Sequence, residues 1–358
     1  PTAGTNAPRI DSRVALWGGI LFSLLFTGLI AATGAWLDPL EATLIPDQGA
    51  SWYYWQLPAP TLLTRGAVWL MYAAHQLAFW GLIYHAQRTK PRYTQELHPV
   101  NRWALGMNAF FILLHFGQTH LLYDGLAQDV SIWSSQFSVV LMLVVILAME
   151  NRRRGLFFGR KAPLSERVVD WLRYYHGYIF AWAIVYTFWY HPMTDTQGHL
   201  IGFLYMFMLM VQGSLFFTRA HLNRTWTVTL ELMVAAHGTL VALQQGNDLW
   251  PMFFFGFLGI FVITQVHGLR WPGWARWGTL VTYLALVLWV YSGRGWAQLN
   301  EIVRIPFIEY LVVFLLVGLM ALTARLLERF LPAPAASPVA VSTPVQSGGT
   351  ISHATRDQ

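Results

Sequence analysis

Ten apolar stretches divide the chain, each bounded by polar, charged or proline residues. Most of them approach the ~20 residues that an α-helix needs to cross the hydrocarbon core of a bilayer. The pattern therefore predicts an all-α fold, a polytopic integral membrane bundle of about ten transmembrane helices. The predicted spans are Val14–Trp36, Gly66–Ala86, Trp103–Tyr123, Ile132–Met149, Asp170–Tyr190, Leu200–Thr218, Trp226–Gln244, Met252–Gly268, Trp277–Tyr291 and Pro306–Leu327.

The segments outside these spans complete the predicted organisation. Residues 1–13 are polar, and residues 331–358 are rich in Pro, Ala and Ser. We expect both termini to be disordered and residues 14–330 to form one transmembrane domain. The loop Asp38–Thr64 carries the aromatic run 52–55, which we expect at the membrane interface because Trp and Tyr favour the headgroup region.

Composition agrees with a membrane chain. Of the 358 residues, 55% are hydrophobic and only 11% are charged, whereas a soluble domain carries about 25% charged residues. The chain holds 18 Trp, and its mean hydropathy is +0.42. Because there is no cysteine, disulfides, thiolate metal sites and iron–sulfur clusters are excluded.

The positive charges predict the orientation. Ten spans place both termini on one side of the membrane, and all of the 23 Lys and Arg residues except Arg65, Arg294 and Arg304 then fall on that side. The positive-inside rule makes it the cytoplasmic side, so we expect a multi-pass protein of the plasma membrane with both termini inside. Topology thus accounts for the net charge of +6, and we expect the lipid bilayer, not a nucleic acid, as partner.

Histidines carry the chemistry that the sequence suggests. The chain has 12 of them, and ionisable groups inside a membrane are costly and usually face a site or each other. His176 and His191 bracket fourteen mostly apolar and aromatic residues of the fifth span and lie ~22 Å apart along a helix axis, about the height of a bilayer core. The histidines placed deep in the spans are His75, His115, His176, His237 and His267.

Two interpretations of the deep histidines compete. A single one is more often a hydrogen-bond partner between helices than a ligand. Pairs on different helices at one depth instead suit a six-coordinate b-type haem, which needs one imidazole on each face of its iron. His176 with His267 would form the inner pair, and His237 with His115 or His191 the outer pair. A glycine follows His176, His237 and His267, which leaves room for a flat macrocycle.

The stretch from Leu164 to Gln245 resembles the transmembrane core of ferric reductase-like cytochromes b. In that family one span carries two histidines a helix-length apart. A second span ends near Ser and Arg, and a third begins with Arg and aromatic residues and holds further histidines. The resemblance implies two haem b groups and electrons that cross the membrane. The counterparts here are His176 and His191, then Ser214 and Arg219, then Arg224, Trp226, Glu231 and His237.

The chain departs from this family pattern at the second histidine pair. His221 precedes His237 by sixteen residues, which rotates it ~160° away from His237 around a helix, and it lies in the loop before the span. This spoils the second pair unless His267 replaces His221, so we expect His176 to face His267 or His221. The predicted cofactor-binding residues are therefore His176, His191, His237 and His267, with His115 as a further ligand for haem iron. No flavin or nicotinamide pattern follows, so we expect a quinol or a redox partner subunit to supply the electrons.

A second polar cluster lies where the third span turns into the fourth. It contains His115, Gln118, His120, Asp124 and Gln136. A histidine with an aspartate can act as a general base, so an alternative is a membrane transferase with His115, His120 and Asp124 as catalytic residues. The same residues also suit a polar cap on two helices.

Three functional classes stay open at this point. The first is an oxidoreductase that carries electrons through haem. The second is the transferase, whose ten-span layout resembles that of membrane acyltransferases. The third is a transporter, against which the sequence shows neither a repeat nor paired broken helices. Whether the chain is an enzyme is therefore undecided from sequence.

Overall fold

The computed structural model describes residues 9–45, 55–246 and 248–330, and within these ranges all regular structure is helical apart from isolated β-bridges. Short 3₁₀ turns connect several of the helices. The α-helices are α1 (Ser12–Thr33), α2 (Asp38–Glu41), α3 (Leu62–Thr89), α4 (Pro99–Leu122), α5 (Ile132–Arg154), α6 (Glu166–Tyr190), α7 (Gln197–Ser214), α8 (Arg224–Gln244), α9 (Trp250–Ile263), α10 (Gly273–Arg294) and α11 (Glu301–Phe330).

Each predicted span corresponds to one of the long helices, and the all-α prediction is confirmed for the described residues. Within them, five segments are long and apolar enough to cross a membrane, which fits a membrane protein. The predicted disordered tail 331–358, residues 1–8 and the aromatic residues 52–54 lie outside the described residues. The five apolar segments are Ser12–Trp36, Ile132–Arg154, Arg224–Gln244, Trp250–Gly268 and Trp296–Leu327.

Side chains fix the starts of several helices by accepting hydrogen bonds from free backbone N–H groups. Asp11 accepts from the N–H of Arg13 at 2.7 Å and caps α1. Thr61 and Thr64 exchange two bonds of 3.1 Å in a capping box at α3. Asn223 accepts from the second and third residues of α8. Helix entry is therefore set locally, by residues at the boundary of each apolar stretch.

The helix α6 lies at the centre of the arrangement. It packs against α3, α5 and α7, and α7 continues the contacts to α1, α4 and α8. A second layer follows, in which α9 packs between α8 and α11 and α11 returns to α5. The core around α6 is aromatic: Phe188, Trp189 and Tyr190 are fully buried at its C-terminal end. In contrast, α10 packs mainly on α9 and exposes Trp274, Trp277 and Trp289.

One buried ion pair joins the two layers. Arg154, the last residue of α5, donates from Nη1 and Nη2 to the two carboxylate oxygens of Glu231 on α8, at 2.9 and 2.7 Å. Arg154 is 2% and Glu231 6% exposed. The planar guanidinium matches the carboxylate in this bidentate arrangement, so neither charge is left uncompensated in the interior.

Removing one partner of this pair should destabilise the protein strongly. The variant E231Q leaves the Arg154 charge buried and uncompensated, and we expect the free energy of unfolding to fall by about 3–5 kcal/mol. The double variant R154M/E231L removes both charges at similar volume and should recover most of that loss. Thermal unfolding in detergent, followed by circular dichroism, measures both effects.

A neighbouring arginine supplies the matched control. Arg153 is paired with Glu150, and both side chains are about a quarter exposed. The loss in R153A should therefore stay below about 1 kcal/mol. Equal losses in E231Q and R153A would contradict a special role for the Arg154–Glu231 pair.

Candidate functional site

His75 is a structural residue. Trp189 donates from Nε1 to its Nδ1 at 3.2 Å, so the ring proton lies on Nε2, which donates to Oδ1 of Asn108 at 2.8 Å. The Asn108 amide then donates to the carbonyl of Met210 at 3.3 Å and to Oγ of Ser214 at 2.9 Å. Because both ring nitrogens are engaged, His75 connects α3, α4, α6 and α7 and has none left for a metal.

Both ring nitrogens of His115 face oxygen atoms. Its Nδ1 lies 2.8 Å from Oε1 of Gln118, and its Nε2 lies 2.8 Å from the carbonyl oxygen of His191. Gln118 donates in turn to the carbonyl of Asp124 at 3.0 Å. The ring packs 4.4 Å from that of Trp189. A neutral ring can donate to one of these two oxygens, and either bond holds His115 at the end of α4, beside the end of α6.

The residues of the predicted transferase site lie in separate surroundings. His120 bonds through Nδ1 to the carbonyl of Phe116 at 2.9 Å, and its ring faces Trp36 at 6.0 Å. Gln136 is exposed on α5, whereas Asp124 is 3% exposed. His115 faces the aromatic core instead. The structure therefore does not bring these side chains together around one substrate position.

Three other histidines form the group at the C-terminal end of α6, which we call the outer histidine group: His191, His199 and His237. The rings of His191 and His199 are 5.5 Å apart, and His237 of α8 is an electrostatic neighbour of both. Burial and these neighbouring rings lower the pKa of His191 well below its usual value. A Cβ at Gly202 would lie 3.0 Å from Cε1 of His237, so this glycine lets the ring approach α7.

His199 is the member of this group that sequence reasoning missed. It stands in the first turn of α7, where Oγ1 of Thr196 lies 2.7 Å from its Nδ1. The ring of Trp55 lies 4.9 Å away. The signal was present in the sequence: a capping Thr three residues before a histidine marks the first turn of a helix. That position sets His199 at the same end as His191.

Two further histidines are neighbours: His176 on α6 and His221 before α8. We call them the inner histidine pair. Nδ1 of His176 lies 2.7 Å from the carbonyl of Arg173, and Nδ1 of His221 lies 2.9 Å from that of Gln212. Burial, together with the proximity of His176, lowers the pKa of His221 to about 4. The structure thus favours His221 over His267 as the neighbour of His176.

Hydrogen bonds to carbonyl oxygens fix the tautomers of the inner pair. A carbonyl oxygen only accepts, so the proton of each neutral ring lies on Nδ1 and the lone pair lies on Nε2. Among the described residues, no hydrogen bond engages Nε2 of His176 or His221, and both rings are half-buried. Metal-bound histidines characteristically donate their second nitrogen to a carbonyl in this way.

His267 lies elsewhere. It stands in the 3₁₀ turn Gln265–Gly268 after α9, with its ring 6.0 Å from that of Phe158. A Cβ at Gly159 would lie 3.5 Å from its Nδ1. Its neighbours therefore belong to the connection between α5 and α6, not to the stretch of α6 that carries His176.

The described residues contain no group of three or more His, Asp or Glu side chains that could hold a metal ion. A site built entirely from protein ligands, of the zinc type, thus has no support here. A haem iron needs only two imidazoles, because the macrocycle supplies the other four nitrogens. In the inner pair, Nδ1 of each ring faces a carbonyl oxygen. In the outer group, Nδ1 of His237 is buried without a partner among the described residues.

Asp124 should make stability depend on pH. Burial raises its pKa from 3.8 to about 6, although the N–H of Gly125 bonds its Oδ1 at 2.8 Å. A folded-state pKa above the unfolded value contributes stability below pH ~4, and that contribution is lost as pH rises through ~6. D124N should remove up to about 3 kcal/mol of this pH dependence. Unfolding curves recorded from pH 4 to 7 measure it, and an equally steep dependence in D124N would contradict the assignment.

Comparison with known proteins finds no match to a family, to a curated protein or to a solved structure. The chain's own geometry must therefore support any statement about function. That geometry separates two engaged histidines, His75 and His115, from the inner pair and the outer group.

Proposed function

We propose that this chain is a multi-pass protein of the plasma membrane that binds two b-type haems and carries electrons across the bilayer. The observation that carries the proposal is the placement of histidines at two levels along α6. His176 and His221 share one level, and His191, His199 and His237 share the other. The ~22 Å between His176 and His191 along α6 approaches the height of a bilayer core.

At the inner level, His176 and His221 are the proposed ligands. Their Nδ1–H groups are held by the carbonyls of Arg173 and Gln212, which fixes the tautomer and directs Nε2 away from the backbone. Such second-sphere bonds also raise the basicity of the ligand nitrogen. His267, the alternative from sequence, has its neighbours on the α5–α6 connection.

At the outer level, His191 and His237 are the proposed ligands, with His199 beside them. His191 directly follows α6 and His237 lies in α8, just as His176 lies in α6 and His221 precedes α8. Gly202 of α7 allows the His237 ring its position. The ring of His199 lies 5.5 Å from that of His191 and 4.9 Å from that of Trp55.

Haem would supply a one-electron couple at each level. The protein's part is to hold the two levels in register and to keep the path apolar. Phe188, Trp189 and Phe203, all fully buried, pack between α6 and α7 next to the outer group. The electron donor would be a quinol or a partner subunit, since the chain shows no flavin or nicotinamide pattern.

The proposed orientation places the inner pair toward the cytoplasm. It follows from ten spans with both termini inside, as the distribution of Lys and Arg requires. The connection between α5 and α6 holds Arg160, Lys161 and Arg167 and is then cytoplasmic. The connection between α1 and α3 is then on the outer side.

Replacing single histidines should remove one haem at a time. The purified wild type should show the visible spectrum of a low-spin b-type haem, and H176A or H221A should lose about half of the haem per protein, because each deletes one ligand of the inner pair. H237A should lose the other half. The pyridine haemochrome assay and redox titration of each variant measure stoichiometry and identify the level that is lost.

Three histidines provide matched controls for this experiment. H75L tests a buried ring whose nitrogens are both engaged, so it should lower stability and leave haem stoichiometry unchanged in the protein that folds. H267A should leave both haems, since His267 contacts the α5–α6 connection. H199A should also leave both. A wild type that stays colourless after haem supplementation would refute the proposal.

Cysteine labelling tests the orientation, because the chain has no native cysteine. K161C in the α5–α6 connection should react only after permeabilisation, whereas A59C before α3 should react with an impermeant reagent from outside. Both positions are exposed. Gly155 is a poor labelling site, because its φ of 71° disfavours a side chain and an added Cβ would lie 2.6 Å from the carbonyl oxygen of Arg160. Labelling of K161C from outside would overturn the ten-span topology.

A further inference from the structure

A cavity away from the histidines is lined by two carboxyl groups and one amide. It lies between α5, α8, α9 and α11, and its polar lining consists of Glu231, Gln265 and Glu309. The remaining lining is apolar, with Leu143, Ile146, Leu147, Val234, Phe257 and Ile260. Glu309 is 3% exposed and Gln265 is 5% exposed.

Two acceptor atoms in this lining lack a donor. Within the described residues, Oε2 of Glu309 and Oε1 of Gln265 are buried and make no hydrogen bond. Leaving such atoms unpaired costs about 1–3 kcal/mol each, more for a charged group. A built site with two unpaired acceptors therefore requires a donor that the surrounding side chains do not provide.

The nearby donors are committed elsewhere. Oγ1 of Thr264 donates to the carbonyl of Leu156 at 2.6 Å, so the hydroxyl of Tyr310 donates to Thr264 at 2.7 Å. Nη1 and Nη2 of Arg154 both bond Glu231. Its Nε is buried without a partner and so reaches neither acceptor.

The charges around the cavity do not neutralise an ionised Glu309. Arg154 on α5 balances Glu231 on α8, and Arg153 balances Glu150 one turn earlier on α5. Tyr310, next to Glu309 on α11, is uncharged at neutral pH. Ionised Glu309 would therefore be an isolated buried charge, which costs several kcal/mol. A proton removes that charge and at the same time supplies the missing donor.

We propose that Glu309 is a proton-binding site in the membrane interior, with Gln265 as the acceptor of its O–H group, directly or through one water molecule. The Arg154–Glu231 pair closes the site with fixed, mutually compensated charges. The ligand is a proton, which adds to the carboxylate of Glu309 as Glu–COO⁻ + H⁺ → Glu–COOH. Protonation of Glu309 does not depend on haem binding at the histidines.

Infrared spectroscopy of the whole protein in proteoliposomes tests this assignment. The wild type at neutral pH should show the C=O stretching band of a protonated, buried carboxyl group, with a small shift to lower frequency in D₂O. E309Q should lose that band. Q265L should retain it at higher frequency, because the carboxyl loses its hydrogen-bond acceptor. E301Q is the matched control: Glu301 is equally buried but bonds Arg294 and Tyr291, so the band should remain.

Three results would overturn the proposal. The first is the absence of a protonated carboxyl band at neutral pH in the wild type. The second is its persistence in E309Q, which assigns it to another residue. The third is loss of the band when choline is replaced by Na⁺ at constant pH, which makes the site one for a monovalent cation. Each spectrum is recorded on protein whose folding is verified by circular dichroism.

Discussion

A neutral imidazole has one donor and one acceptor nitrogen, and in a water-poor interior each must meet its complement or a ligand. This constraint sorts the buried histidines of the chain. His75 satisfies it with Trp189 and Asn108, and the resulting chain of bonds reaches Ser214 and so holds four helices together. His176 and His221 satisfy it on Nδ1 alone. The proposed function depends on which group binds each Nε2.

Much of the fold was predictable because apolar length and capping residues are local signals. Thr61 and Asn223, for example, are N-cap residue types and directly precede α3 and α8. Helix ends that depend on tertiary contacts were less predictable. Hydropathy extended the eighth span to Gly268, but α9 ends at Ile263 with Thr264 as its C-cap, and the hydroxyl of Thr264 bonds Leu156 and Tyr310. Likewise α11 begins five residues before Pro306, because a proline in the early turns of a helix is tolerated.

The polar residues that join helices also weaken the sequence signal of a span. α3 carries His75 and Gln76, and α4 carries Asn101, Asn108 and His115, all of them buried. These residues lower the hydropathy of helices that the bundle needs for packing, and neither α3 nor α4 is among the five segments apolar enough to span by composition. The residues that form hydrogen bonds between helices thus lower the mean hydropathy of the same helices.

The candidate site was predictable in its residue types and only partly in its pairing. Sequence spacing gave His176, His191 and His237, but it could not tell an engaged ring from an available one. The ring nitrogens of His115 face oxygen atoms of Gln118 and of His191, a residue 76 positions away. His267 is displaced because α9 ends early, which moves its turn toward Phe158. His221 takes its place although it lies before α8, because pairing needs proximity and not a shared helix.

The same accounting of donors and acceptors connects the histidines to Glu309. In both places the described residues include buried polar atoms without a hydrogen-bond partner: Nδ1 of His237 in one, carboxyl and amide oxygens of Glu309 and Gln265 in the other. The carboxylate of Glu231, in contrast, is paired with Arg154 in a bidentate contact. A buried atom without a partner is a selective position for a ligand. A nitrogen lone pair selects a metal centre, and an unpaired carboxylate selects a proton. If both are occupied as proposed, α8 borders an electron position and a proton position, because it carries His237 and Glu231 on one continuous helix.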